Sequence, residues 1–225
     1  PFSSMLNVEM INDVQQPYRG LIDLSTFEKL PFKEQLDQYL KMGGQPLLVE
    51  IEKYFYTNNC TLEEQTVYFN LLVFYFGHHA TKSFKYISLH NVSKMFSIDI
   101  IQHLLARIDN ERMWSLSSHL NIGPLSIFFF LFLCIGRYFF LSSMVNHLRY
   151  PNMETLYFIC VMIHLFKMSN DEIKEIVARV LLERLFAHRP HPWGLLFIVN
   201  ELSRNPIYGF WNCQFIKFES LKIKR

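Results

Sequence analysis

Apolar residues recur at helical spacing from one end of this chain to the other, and strand-type alternation is absent. That pattern constrains the fold more than any single motif does. A period near 3.6 buries one face of a helix against its neighbours, and a chain that keeps it throughout is all-α. Glycine is scarce, 8 of 225 residues. Pro31 opens a helix with an inner face of Leu36, Tyr39 and Leu40, stopped by Gly43-Gly44; Pro46 opens the next. Thr61 with Glu64, and Ser169 with Glu172, have the spacing of capping boxes, in which each side chain satisfies a free backbone N–H. Between Val67 and Phe76 the apolar residues point in nearly every direction, so that helix should be sandwiched. Ser97, Pro192 and Pro206 each mark a further start. Asp171 and Glu172 fall in a first turn, where negative charge suits the helix dipole.

At 225 residues and 50% hydrophobic, the chain can bury a core as one domain or as an array of small repeats. Net charge is +2, too mild for the clustered basic face that nucleic-acid binding needs. The only basic cluster is Lys217 to Arg225, which reads as a solvated tail. Cys60, Cys134, Cys160 and Cys213 are far apart, without metal-ligand spacing. Reduced, mostly buried thiols in a cytosolic protein are the simplest reading. A start at Pro1 suggests a fragment of something longer.

No HExxH, P-loop, GxSxG or CxxC pattern occurs. His78 and His79 are adjacent on a helix and point about 100° apart, which keeps them from sharing one ion. His188 and His191 flank prolines at a helix boundary, where capping or exposure is expected. An enzyme reading has no residue to rest on, and neither cofactor nor metal is expected.

The run Arg189-Pro190-His191-Pro192-Trp193-Gly194-Leu195-Leu196 combines a helix stop, a helix start and a core anchor. Pro190 bars continuation of one helix and Pro192 fits the first turn of the next. Trp193 supplies apolar surface at the joint. With Leu148-Arg149-Tyr150-Pro151-Asn152, Arg179 to Leu185, and Asn205-Pro206 with Phe210-Trp211, this run resembles the C-terminal homology domain of the scaffold subunit of the Ccr-Not deadenylase complex. A fainter match continues upstream through Leu36-Asp37-Gln38-Tyr39-Leu40 and the helix around Leu71 to Gly77. The resemblance implies HEAT-like stacked helical hairpins forming an α-solenoid, over one domain spanning residues 1–225. It also implies a non-catalytic platform that docks the heterodimer of the two Not-box subunits. Such a platform supports mRNA deadenylation, mRNA decay and translational repression, in the cytoplasm and P-bodies and also in the nucleus. Short regulatory peptides are further expected partners; direct nucleic-acid and membrane contacts are not.

On that reading Arg149, Tyr150, Asn152, Arg189, His191, Asn205 and Phe210 are the candidate partner-binding residues. Pro190, Pro192, Trp193, Gly194, Pro206 and Trp211 are structural, with Trp193 and Trp211 expected in the core. The C-terminal Lys217-Phe218-Glu219 departs from the acidic, Pro- and Leu-containing turn of the family.

One segment fits none of this. Between His119 and Arg137 there is no charge, and Phe128-Phe129-Phe130-Leu131-Phe132 lies at its centre. It is short for a membrane span and interrupted by Asn121, Gly123 and Pro124. A core helix with phenylalanines pointing all round would need burial on every side. The third reading is a foreign or mis-spliced insert at residues 112–135. In the family an acidic turn runs directly into Gly-Arg-Tyr, and here Asp109-Asn110-Glu111 and Gly136-Arg137-Tyr138 supply the two halves. The alternatives are a membrane-associated helical protein anchored through Leu125–Ile135, and a generic helical adaptor.

Overall fold

A computed structural model of the chain describes residues 33–42, 62–83, 87–107 and 135–217. The expected helix after Pro46, the Thr61 end of the Thr61–Glu64 box, residues 112–134 and the basic tail after Lys217 lie outside the described residues. Eight α-helices are described: α1 (Lys33–Met42), α2 (Leu62–Ser83), α3 (Leu89–Val92), α4 (Phe96–Arg107), α5 (Ile135–Val145), α6 (Met153–Met168), α7 (Asp171–Ala187) and α8 (Trp193–Arg204). Three 3₁₀ turns, Asn146–Leu148, Pro206–Tyr208 and Phe210–Asn212, complete the order. The described residues contain no strand, and the fold is all-α as the periodicity requires.

The core is organised around α6. Every residue from Glu154 to Ile163 is buried, so this helix has no solvent face over its first three turns. It packs against α2, α3, α7 and α8, while α5 packs between α2 and α7. Helix α2 is sandwiched as its composition demands: Phe69, Leu71, Leu72, Val73, Phe74 and Phe76 are all buried, although Val67 at its outer end is exposed. The crossing of α2 on α6 needs Gly77, where an added Cβ would stand 2.9 Å from Phe158 Cε2. Among the described residues, no helix is long and apolar enough to cross a membrane.

Local capping explains where the helices begin. Asn152 is extended, and its side-chain oxygen accepts from Thr155 N at 2.8 Å, opening α6. The Thr155 hydroxyl donates to His147 O at 2.7 Å, tying the preceding 3₁₀ turn to the same helix. Helix α7 starts one residue later than the Ser169–Glu172 box proposes. Its cap is Asn170, which accepts from Ile173 N at 3.1 Å. Glu172 does not reach back to the cap; its carboxylate pairs with Arg137 of α5 at 2.7 Å. A charge partner from another helix outcompetes the local N–H. Replacing the cap, Asn170→Ala, is expected to lower stability by about 1 kcal/mol in a urea titration.

Two further starts shift. Pro192 is the N-cap of α8, not part of its first turn, and makes no side-chain cap bond. The single helix expected from Pro206 to Phe215 is instead two 3₁₀ turns, with helical backbone only at residues 214–217. The turns are split at Gly209, whose φ of 64° is left-handed and open to glycine at little cost.

Candidate functional site

The two motifs richest in candidate residues, 148–152 and 189–196, are far apart in sequence and meet in space. Trp193 N donates to Arg149 O at 3.4 Å. Gly194 is buried against the same loop: a Cβ there would stand 2.7 Å from Thr155 Cγ2 and 3.0 Å from Leu148 O. Backbone oxygen cannot give way as a flexible side chain can. Gly194→Ala is therefore expected to cost about 2 kcal/mol by overpacking, read as a lowered urea midpoint at unchanged slope.

Around this joint the side chains divide into those that build it and those it presents. Asn152 is buried and serves as the α6 cap. Pro192 and Trp193 are half-buried, the Trp193 ring lying 5.9 Å from that of Phe197. Arg149, Arg189, Pro190 and His191 are exposed, and Tyr150 is half-exposed with the Arg149 guanidinium 5.9 Å from its ring centre. Five candidates from the sequence, Arg149, Tyr150, Asn152, Arg189 and His191, thus converge on one end of α8.

Asn205 and Phe210 lie at the other end, a helix of twelve residues or about 18 Å away. Asn205 is half-buried and accepts from Ile207 N at 3.2 Å. Phe210 is 2% exposed and faces the Phe166 ring at 5.8 Å, so it is a core residue in this chain. Its neighbour reverses the expectation in the other direction. Trp211, expected in the core, is 62% exposed, with Nε1 donating to Ser203 O at 2.9 Å. The cause is the break at Gly209, which turns Phe210 inward and leaves Trp211 lying over the end of α8. Pro206 is exposed, and Ile207 beside it is 70% exposed.

The sequence did not disclose the polar contacts between α5 and α7. Besides the Arg137–Glu172 pair, the Tyr138 hydroxyl donates to Glu183 at 2.7 Å, and Arg179 Nε donates to the same carboxylate at 2.8 Å. Nor did it disclose Glu175, whose carboxylate accepts from the backbone N–H groups of Gln214 and Phe215 and so seats the C-terminal turn on α7. The only available signal was the density of ionisable residues in 137–138 and 172–183.

Burial pushes the Cys160 thiol up to about 12, and burial followed by the Glu175 charge pushes Cys213 up to about 11. Both thiols stay protonated at neutral pH and are poor nucleophiles. Among the described residues, no three His, Cys, Asp or Glu side chains are placed to hold a metal ion.

Comparison with known proteins follows the fold. Residues 133–224 match the family model described as CCR4-Not complex component, Not1. The chain is 32% identical over 228 aligned residues, 96% of its length, to the CCR4-NOT transcription complex subunit let-711 of Caenorhabditis elegans, and spans 8% of that protein. It is 46% identical over 86 residues, 36% of its length, to the general negative regulator of transcription subunit 1 of Schizosaccharomyces pombe, of which it spans 4%. Its fold is similar to that of the Not1 C-terminal domain solved in complex with Not4, with a TM-score of 0.63 at 20% identity, covering 88% of this chain and 38% of that one.

Proposed function

The chain belongs to the Not1 family of CCR4-Not complex components, and from that premise we propose that it is a docking domain of the complex's non-catalytic scaffold. Its partners are the Not-box subunits, held as a heterodimer. Bringing them to one platform raises their effective concentration toward whatever else the scaffold carries. The outcome is mRNA deadenylation, mRNA decay and translational repression, in the cytoplasm and P-bodies with a nuclear pool. The observation that carries the reading is the likeness to a Not1 C-terminal domain solved with Not4 bound. The helical stack agrees with it, offering exposed residues at both ends of α8.

The platform is one domain of HEAT-like helical hairpins over residues 1–225, interrupted by a foreign or mis-spliced insert at 112–135. One observation supports the interruption. Arg137 and Tyr138, directly after the segment, are seated on α7 by the contacts described above. A pull-down against the two Not-box subunits, with and without residues 112–135, tests both claims. Capture of the heterodimer by the shortened chain, at higher soluble yield than the full chain, is expected. A native transcript or peptide retaining the segment would remove the insert claim, and a folded shortened chain that captures nothing would remove the docking claim.

A further inference from the structure

The joint between the 148–152 loop and the start of α8 has a one-sided charge. Arg149 and Arg189 are both exposed, and neither has a carboxylate partner among the described residues. Elsewhere Arg137, Lys174 and Arg179 are each paired with an acid. Residues 146–160 and 184–196, the segments that build the joint, contain one carboxylate between them, Glu154. It is 3% exposed, beneath the surface. His188 and His191, both exposed, flank Arg189 and add imidazole donors.

Apolar surface adjoins the charge. Phe186, at the end of α7, is 63% exposed and Leu196, in the first turn of α8, is 45% exposed. Tyr150 and Trp193 are half-exposed, and their two segments are joined where Trp193 N donates to Arg149 O. Two guanidinium groups without a carboxylate partner among the described residues, beside aromatic and aliphatic side chains, suit a partner with carboxylates flanking an apolar anchor. Arginine binds carboxylates through two parallel N–H bonds, and aromatic residues supply anchor contacts. RNA fits less well, because tracking a phosphate backbone takes a longer row of permanent charges than two.

We propose that this joint is a docking surface for an acidic linear segment of a partner protein, bound by Arg149 and Arg189 with its apolar residue against Tyr150 and Trp193. The proposal deepens the scaffold reading and rests on it for the partner's place in the complex.

The probe is a fluorescein-labelled dodecapeptide of Asp, Glu, Leu and Trp, titrated with the full chain by fluorescence anisotropy. A peptide with Lys in place of the acids and a labelled uridine dodecamer serve as comparisons. Selective binding of the acidic peptide is expected, weakening at least tenfold between 50 and 300 mM salt, about five-fold or more of it lost again in Arg149→Glu/Arg189→Glu. Arg149→Gln/Arg189→Gln, a gentler change at the same exposed positions, is expected to lose part of the affinity, with circular dichroism unchanged. Equal binding of both peptides, or an affinity indifferent to these substitutions in a folded chain, would overturn the proposal. So would preferential binding of the uridine dodecamer through the same arginines. A parallel titration with the Not-box heterodimer separates the two claims. A chain that holds the heterodimer but not the acidic probe overturns this inference alone, and one that holds the probe but not the heterodimer overturns the scaffold reading alone.

Discussion

Glu172→Ala is expected to lower the stability of the chain by about 3 kcal/mol, the low end of the range for breaking a buried ion pair. The asymmetry of the pair sets the size. The Arg137 side chain is 6% exposed and Glu172 is 40% exposed. Removing the carboxylate takes this partner from a guanidinium that lies under the α5–α7 contact. The lower end of the range applies because Glu172 is itself partly hydrated. For a domain of this size the melting midpoint should fall by about 6–12 °C. The neighbouring pair provides the internal contrast. Arg179 and Glu183 are one turn apart on α7 and both partly exposed, so Arg179→Ala should cost only about 0.5 kcal/mol. Equal losses in the two variants, measured by thermal and urea unfolding, would mean that Arg137 finds other support.

Acid should weaken the fold through His147. Its ring is buried between Phe74 and Phe158, with centroids 6.2 and 4.8 Å away. Burial pulls its pKa down to about 4 from the usual 6.5. The folded state therefore keeps the ring neutral where the unfolded chain has already taken up a proton. The contribution is full above about pH 6.5, is lost as pH falls toward about 4, and changes little below that. A depression of this size corresponds to about 3 kcal/mol. His79 and His164, also lowered chiefly by burial, act in the same direction. Urea titrations at pH 7 and pH 4.5 should show the loss. In His147→Gln, which cannot titrate, the difference between the two pH values should shrink by about 2–3 kcal/mol. An undiminished difference would place the acid sensitivity elsewhere.

Both effects come from contacts that no local pattern announces. Helical periodicity identified α1, α2, α4, α7 and α8, because a buried stripe is written at fixed spacing along the chain itself. The Pro-Trp-Gly run marked the α7–α8 joint, because proline and glycine act on their own backbone. Sequence spacing failed where a partner from a distant segment decided the outcome. Glu172 has the spacing of a capping box yet turns to Arg137, 35 residues earlier, and Asn170 takes over the cap. Phe210 and Trp211 are adjacent aromatics, and only the left-handed turn at Gly209 settles which one enters the core. Convergence of Arg149 and Tyr150 with Arg189 and His191 was likewise invisible until Gly194 was seen against Leu148 and Thr155. The motif residues were legible as a set; their division between the two ends of α8 was not.

The measurement that tests the scaffold reading most directly is sedimentation velocity of the purified chain mixed with the Not-box heterodimer. A single faster-sedimenting species containing all three polypeptides in equal amounts is the predicted result. Separate boundaries for the chain and the heterodimer at micromolar concentrations, from a chain whose circular dichroism is helical, would contradict it.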